Sequence, residues 1–325
     1  MKYKLGEVCS RLSSGKGISA KFINETGTFP VYGGNGLRGY SEKSNFKGEC
    51  AIIGRQGAFC GNVRYFSGEA YMTEHAIVAC ANEKHSTRYL SYLLELMKLG
   101  RLSAQSAQPG LSVKMLAQQE IDMPSLEQQE KIVSILSALE EKININMKIN
   151  KNLEQQAKAI FKSWFIDFEP FSNQKPNDWS VSTLGNVSIM SAGGDKPQNV
   201  SPIKTDLYRY PIYSNGLSDE GLYGFTDKPK IFEESVTVSA RGTIGFVCLR
   251  HTPYVPIVRL VTLIPKTEII SAKYLYLWLK QLHITGTGTT QQQLTVPDFQ
   301  KTAILVPSQE IVTLFTATVE PIFEK

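Results

Sequence analysis

Several residue patterns that accompany common enzyme chemistries are missing from this chain of 325 residues. Its five cysteines include no Cys-x-x-Cys pair, and its four histidines form neither His-x-x-x-His nor His-Glu-x-x-His. Ser14-Gly-Lys-Gly17 lacks the upstream glycine and the following Ser or Thr of a phosphate-binding loop, and no Gly-x-Ser-x-Gly occurs. We therefore predict no catalytic residue, no metal site and no bound cofactor, and expect a binding protein rather than an enzyme.

The chain also lacks an apolar run of about 18 residues, the minimum for a membrane-spanning helix. Its first residues, Met1 to Val8, contain no long apolar segment of the kind found in a signal peptide. An odd number of scattered cysteines is typical of free thiols in a reducing compartment. Together these features predict a cytoplasmic protein, and the chain length suggests two domains.

Positive charge is only mildly in excess, with a net charge of +5 and a pI near 8.8. The excess lies in residues 1–124, where 15 Lys and Arg face 10 Asp and Glu. A balance of this size is compatible with a nucleic-acid partner but does not demand one.

Four short segments occur twice, in the same order and at nearly constant separation, which indicates a duplicated domain. They are residues 5–8 with 184–187, 29–32 with 210–213, 89–94 with 274–279, and 111–116 with 294–299. Each copy predicts short strands with glycine-rich turns, such as 50–53, 76–79, 236–239 and 258–263, followed by one helix around 88–99 or 272–282. The predicted fold class is α+β.

Gly34, Gly36 and Gly39 match the Gly-x-Gly-x-x-Gly pattern of a dinucleotide-binding turn. That pattern requires a strand before it and a helix after it, but a polar and aromatic run without helical periodicity follows here. The second copy carries Ser214 in place of the first glycine. Asn35-Gly36 and Asn215-Gly216 are therefore predicted to be turns.

Between the two copies, residues 125–164 contain no glycine and no proline and are rich in helix-forming residues. Ser125 and Gln128 have the spacing of a capping box. Heptad spacing then predicts the seam of a coiled coil, with an ordinary amphipathic helix as the alternative. The seam residues are Ile132, Leu136, Leu139, Ile143, Asn146, Asn150, Leu153, Ala157, Ile160 and Trp164.

Two loops in each copy carry Arg, Gln, Asn or Thr among glycines: 54–61 with 239–245, and 105–110 with 287–293. Arg can recognise guanine, and Gln or Asn can recognise adenine, through paired hydrogen bonds in the major groove. Each loop alone equally fits a solvated surface loop, but their recurrence favours DNA contact. The candidate DNA-binding residues are Lys16, Tyr32, Asn35, Arg38, Arg55, Gln56, Gln105, Gln108, Lys204, Tyr213, Asn215, Arg241, Thr243, Gln291 and Gln292.

The arrangement resembles the DNA-specificity subunit of type I restriction–modification systems. The segments that carry the resemblance are 124–132 after the first copy, 160–170 at the helix end and 176–179 before the second copy. The resemblance implies target recognition domains at 1–124 and, with a linker, 171–307. It also implies a spacer helix at 125–170 that forms an antiparallel coiled coil with a shortened C-terminal helix at 308–325.

In that family each recognition domain binds one half of a bipartite DNA site, and the helices set the gap. The resemblance further implies that methyltransferase subunits, and restriction subunits where present, bind S-adenosylmethionine and ATP in place of this chain. The alternatives are a self-contained restriction or methyltransferase enzyme and a scaffold that binds only protein. Because the segment 308–325 is short, we expect the seam from Ile132 to Ile143 to lack a partner and the isolated chain to form a homodimer.

Overall fold

A computed structural model of the chain describes residues 1–103, 110–286 and 293–324. The chain divides into two compact units, Met1–Ile145 and Asn146–Lys325. Each unit combines β-sheets with helices, in agreement with the predicted α+β class.

The first unit contains eight strands, three short helices and the beginning of a long helix within its described residues. In chain order these are β1 (Lys2–Lys4), α1 (Leu5–Val8), β2 (Cys9–Ser14), β3 (Phe29–Gly33), β4 (Gly36–Ser41), β5 (Phe46–Gly54), β6 (Val63–Met72), β7 (Ala76–Ala81), α2 (Thr87–Leu96), α3 (Val113–Ala117), β8 (Glu120–Asp122) and α4 (Leu126–Phe165).

A six-stranded sheet with the order β2-β7-β5-β6-β3-β4 forms the centre of this unit, and β1 pairs separately with β8. Neighbours in the large sheet are antiparallel except β3 and β6, which run parallel. Apolar side chains alternate along β5, so that Ala51 and Ile53 face one core and Cys50 and Ile52 face another. Leu90 and Leu94 of α2 complete the first of these cores.

The long helix α4 is continuous over 40 residues, which corresponds to about 60 Å. The predicted capping box is present: the Gln128 amide N–H donates to the Ser125 hydroxyl, and the Ser125 N–H donates to the Gln128 side-chain oxygen. Helix α4 begins at Leu126 and ends at Phe165, within the expected range of 125–170. The predicted spacer helix is therefore confirmed as a helix.

The second unit contains the end of α4 and a second set of strands and helices among its described residues. These are β9 (Ser180–Thr183), α5 (Leu184–Val187), β10 (Ser188–Ala192), β11 (Tyr210–Tyr213), β12 (Leu222–Thr226), β13 (Ser235–Val238), β14 (Val247–Arg250), β15 (Val255–Pro256), β16 (Val261–Pro265), α6 (Ala272–Gln281), α7 (Val296–Phe299), β17 (Ala303–Val306) and α8 (Gln309–Phe323).

The strands of the second unit repeat the order of the first. The order β10-β16-β13-β14 corresponds to β2-β7-β5-β6, and β12-β11-β15 corresponds to β4-β3 with the end of β6. The parallel pairing of β3 with β6 recurs as β11 with β15. The caps recur as well, because Ser86 accepts from the Tyr89 N–H and Ser271 accepts from the Tyr274 N–H. The predicted duplication is confirmed.

An aromatic core joins α4, α6 and α8 inside the second unit. Phe161 and Phe165 of α4 contact Tyr274 of α6 and Phe315 of α8. Along α6, Ser271 and Tyr276 contact Thr316 and Phe323, so α6 and α8 run in the same direction. Since Tyr274 contacts Phe161 and the later residue Lys280 pairs with the earlier Glu154, α4 runs opposite to both.

Burial along α4 follows the predicted seam only in part. Ala157, Ile160 and Trp164 pack in the core of the second unit, but the most buried aromatic residues, Phe161 and Phe165, lie off the seam. The buried face of α4 lies off the predicted seam here because α4 packs against α6 and α8 together rather than against a single partner helix. Asn150 is already exposed.

One local prediction was confirmed and two were wrong. The turn predicted at Asn35-Gly36 is present and connects β3 to β4 as a hairpin, so a strand follows the glycine pattern where a dinucleotide site needs a helix. The strand predicted at 258–263 starts only at Val261, because Val258 and Arg259 adopt left-handed backbone angles with φ of 51° and 60°. The Asn215-Gly216 turn is likewise replaced by a longer connection containing the 3₁₀ turn Ser218–Gly221.

Candidate nucleic-acid interface

Three loops meet at one end of the first unit. The turn at Gly34 lies against the loop that starts at Arg55 and against the turn that ends at His75, and the Arg55 N–H donates to the His75 carbonyl at 3.0 Å. The Lys16 N–H donates to the Met72 carbonyl at 2.9 Å, which brings the end of β2 to the same place. Residues from four segments of the sequence are thus presented together.

The corresponding loops meet in the second unit around Asn215. Its side-chain oxygen accepts from the Ala240 N–H at 2.7 Å, and its side-chain nitrogen donates to the Val258 carbonyl at 2.6 Å. The Thr243 hydroxyl donates to the Asn215 carbonyl at 3.0 Å. The side chains of Asn215 and Thr243 therefore hold the protein's own loops together.

The predicted recognition loops occupy equivalent positions in the two units. The Gly61 N–H donates to the Gly54 carbonyl at 2.8 Å, and the Gly245 N–H donates to the Ser239 carbonyl at 2.9 Å. Gly57 and Gly242, each three residues after the accepting residue, have φ of 79° and 68°, which permits the same tight turn.

The shared register makes Gln56 the counterpart of Arg241. The carbonyl of the preceding residue accepts an equivalent hydrogen bond in each unit. The Leu111 N–H donates to the Arg55 carbonyl at 2.8 Å, and the Leu294 N–H donates to the Ala240 carbonyl at 3.0 Å. Gln56 and Arg241 are both exposed. Arg241 also donates to the Gln293 side-chain oxygen at 3.0 Å. Arg55 is half-buried, and its guanidinium donates a hydrogen bond to the Glu74 carbonyl at 3.4 Å.

The remaining candidates of the first unit differ in exposure. Lys16, Asn35 and Arg38 are exposed, and Asn35 lies at the tip of the β3–β4 hairpin. Tyr32 is half-buried, with its ring 5.1 Å from that of Phe66. Gln105 and Gln108 lie outside the described residues.

In the second unit, Lys204 is exposed and lines a cleft of about 410 Å³ with Arg209 and Tyr213. The Arg250 guanidinium stacks on the Tyr213 ring at 3.6 Å, and burial raises the pKa of Tyr213. Arg250 also donates to the Glu220 carboxylate at 3.0 Å and so supports the loop that carries Asn215. Gln291 and Gln292 lie outside the described residues.

One basic cavity of the first unit was not predicted from the sequence. It measures about 610 Å³ and is lined by the turn at Gly34–Gly36 together with Arg64, Lys98, Arg101 and Glu95. All three cations are exposed. The sequence shows these three residues only as separate basic positions, because Arg64 lies on β6 whereas Lys98 and Arg101 follow α2.

Burial raises the pKa of Cys9 and of Cys50 to about 12 and that of Cys248 to about 11, so these thiols remain protonated at neutral pH. Within residues 1–103, 110–286 and 293–324, His, Cys, Asp and Glu form no group of three or more that could hold a metal ion.

Comparison with known proteins assigns the chain to a family. Residues 1–155 and 176–319 match the type I restriction modification DNA specificity domain. The chain belongs to the type I DNA-specificity family. A protein of Mycoplasma pneumoniae named as type I specificity subunit S.MpnORF507P is 29% identical over 99% of this chain and 88% of its own length.

Other members of the type I DNA-specificity family share shorter or more distant similarity. The EcoprrI specificity subunit of Escherichia coli is 36% identical over 45% of this chain and 37% of its own length. The crystal structure of a type I S subunit from M. genitalium superposes with a TM-score of 0.71 at 16% identity, covering 100% of this chain and 91% of that one. That superposition supports the family's fold in this chain.

No helix in the part of the chain that the structure describes is long and apolar enough to cross a membrane.

Proposed function

We propose that this specificity subunit binds duplex DNA and that each repeat recognises one half of a bipartite site. The proposal assigns the recognition domains to residues 1–124 and 171–307. The observation that carries it is the pair Gln56 and Arg241. These residues occupy the same position in two copies of one loop frame, are both exposed, and differ in hydrogen-bonding chemistry. Because Gln pairs with adenine and Arg with guanine, equivalent loops would select different bases.

Contacts with the DNA backbone would accompany recognition of the bases. The three exposed cations around the cavity of the first unit, Arg64, Lys98 and Arg101, suit phosphate oxygens. Together with the basic excess of residues 1–124, they favour a polyanionic partner for this unit. We expect the complex to act in the cytoplasm, where such DNA is accessible.

Helix α4 is proposed to set the gap between the two half-sites and, with α8, to dock methyltransferase subunits. In support, α4 is a single unbroken helix of 40 residues. The chain itself is proposed to be non-catalytic. S-adenosylmethionine would then be bound by the methyltransferase subunits, and ATP by restriction subunits where these are present.

For the isolated chain we propose a homodimer through the apolar stripe of α4 that runs from Ile132 to Ile143. Leu139 and Ile143 of this stripe are 54% and 58% exposed. Residues 127–141 carry four Glu and one Lys, whereas residues 142–151 carry three Lys and no acidic residue. Antiparallel pairing of two copies would bring each acidic half against a basic half while burying the apolar stripe.

The decisive experiment is single-molecule sequencing of methylated sites in a host that expresses this chain with its methyltransferase subunits. We expect a bipartite motif, relaxed at one base of one half by Gln56→Ala and at one base of the other half by Arg241→Ala. Uniform loss of methylation in both variants would assign these side chains to phosphate contact. Methyl transfer by the purified chain alone, from labelled S-adenosylmethionine to DNA, would instead establish a self-contained enzyme.

A further inference from the structure

The turn before β16 can be compared residue by residue with the turn before β7. The Thr73 N–H donates to the Tyr32 carbonyl at 2.9 Å, and the Ile257 N–H donates to the Tyr213 carbonyl at 2.9 Å. Each turn then closes with the same bond three residues later, from Ala76 at 3.0 Å and from Leu260 at 3.1 Å. Position for position, Asn215 corresponds to Gly34, and Val258 and Arg259 correspond to Glu74 and His75.

In the first repeat the two loops at this junction are bonded directly to each other. The Arg55 N–H donates to the His75 carbonyl at 3.0 Å. Gly34 makes this possible, because a Cβ atom at that position would lie 2.9 Å from the His75 oxygen. The junction of the first repeat therefore has no room for a side chain.

In the second repeat the Asn215 side chain lies between the same two loops. Its side-chain oxygen accepts from Ala240, the counterpart of Arg55, and its side-chain nitrogen donates to Val258, so that its amide group bridges the two loops one residue earlier in the turn than the direct bond of the first repeat. The Val258 N–H and the Arg259 N–H donate in turn to Gly194 and Gly193, both at 2.9 Å. Four segments of the chain thus determine the shape of one two-residue turn.

The inserted side chain is accompanied by a changed backbone. Val258 and Arg259 both have left-handed φ angles, whereas Glu74 and His75 do not. A β-branched residue such as Val disfavours this region strongly. Strained residues persist only where their surroundings over-determine them, and they concentrate at functional sites. The strain here presents Val258, which is 51% exposed, and the exposed Arg259 at the tip.

We propose that Arg259 is a base-recognising residue of the second repeat, specific for guanine, and that Asn215 is the positioning residue that holds it. This inference rests on the proposed function. Arg donates to two acceptors of guanine in the major groove, and a turn clamped in advance loses little freedom on binding. Asn215 also holds the loop of Arg241, so one amide group would align two arginines. In the first repeat His75 occupies the position of Arg259, so the first repeat would make a different contact with a base at this position.

The test compares variants by sequencing the methylated sites of the full complex. Arg259→Gly removes the side chain, while glycine adopts the left-handed backbone without strain, so the turn should persist. We expect one guanine of the half-site that also responds to Arg241→Ala to become degenerate, with roughly a 5- to 150-fold loss of preference. Asn215→Gly recreates the junction of the first repeat and should relax this base together with the base read by Arg241, while the other half-site stays unchanged.

Lys228→Ala is the matched control, since Lys228 is an exposed cation of the same repeat that should leave the motif intact. Thermal melting should show that Arg259→Gly is at least as stable as the wild type. If the wild type yields a bipartite motif and Arg259→Gly leaves both halves unchanged, the inference is overturned while the proposed function stands. Complete loss of methylation by a variant that melts normally also counts against it. If the wild type yields no bipartite motif, the proposed function fails first.

Discussion

Phe165, the last residue of α4, packs edge to face against Phe315 of α8, with ring centroids 4.9 Å apart and ring planes at 79°. Both side chains are fully buried, at 1% and 0% exposure. All three tryptophans of the chain, Trp164, Trp179 and Trp278, belong to the same unit. Tryptophan fluorescence therefore reports unfolding of the second unit alone.

The first prediction concerns this aromatic contact. Phe315→Ala should lower the free energy of unfolding of the second unit by about 3–5 kcal/mol, because it leaves a cavity among Phe161, Phe165 and Tyr274. Urea unfolding followed by tryptophan fluorescence measures the change. Leu314→Ala, at a neighbouring position that is 56% exposed, serves as the control and should change the free energy by less than about 0.5 kcal/mol.

A second prediction concerns pH and the buried amine of Lys273. Burial by itself lowers the pKa of Lys273, but hydrogen bonds with Glu234 and Glu320 raise it above the usual value. A raised pKa contributes stability that is fully present below the lysine pKa of the unfolded chain and is lost at still higher pH. Lys273→Met should therefore cost about 2 kcal/mol at neutral pH.

The difference between Lys273→Met and the wild type should shrink only above about pH 10.5, as the amine deprotonates. The same fluorescence titration, repeated across the alkaline range, measures it. Lys266→Met is a suitable control, since this lysine is half-buried and makes one exposed hydrogen bond, to the backbone carbonyl of Asn186. If the difference in free energy of unfolding between Lys273→Met and the wild type instead grows with pH, the raised pKa of Lys273 is contradicted.

The third prediction concerns the apolar stripe of α4. If two copies pair through it, Leu139→Glu with Ile143→Glu should lower the mass measured by light scattering at tens of micromolar. The mass should fall to that of a monomer, because buried carboxylates disfavour an apolar contact. Ser134→Glu with Ala138→Glu adds the same residue type at two exposed positions off the stripe, within the acidic half, and should retain the dimer. A wild type that is already monomeric would reject the homodimer.

The fourth prediction concerns the length of α4. A heptad inserted after Asn146 keeps the seam in phase and extends the helix by roughly 10 Å, or about three base pairs. The methylated motif should gain spacer bases of that number while both half-sites keep their sequences. An unchanged spacer would show that α4 does not set the gap.

Several features of this protein are determined by the sequence itself because they depend on residues that are close together in the chain. The cap formed by Ser125 and Gln128 requires a spacing of three residues, and α4 requires only a run of helix-forming residues without glycine or proline. The duplicated order of elements likewise appears in segments such as 5–8 and 184–187 before any contact is known. Local chemistry suffices for each of these.

The tertiary structure alone decided the shape of the proposed recognition loops and the buried face of α4. Alternating apolar residues from Val258 to Thr262 predict a strand, yet Asn215, 43 residues away, donates to Val258 and the chain turns there instead. The helical periodicity of α4 does not foretell the burial of Phe161 and Phe165, because that burial needs α6 and α8 on two sides. Contacts between distant segments outweigh local propensity wherever they satisfy buried polar groups or fill an apolar core.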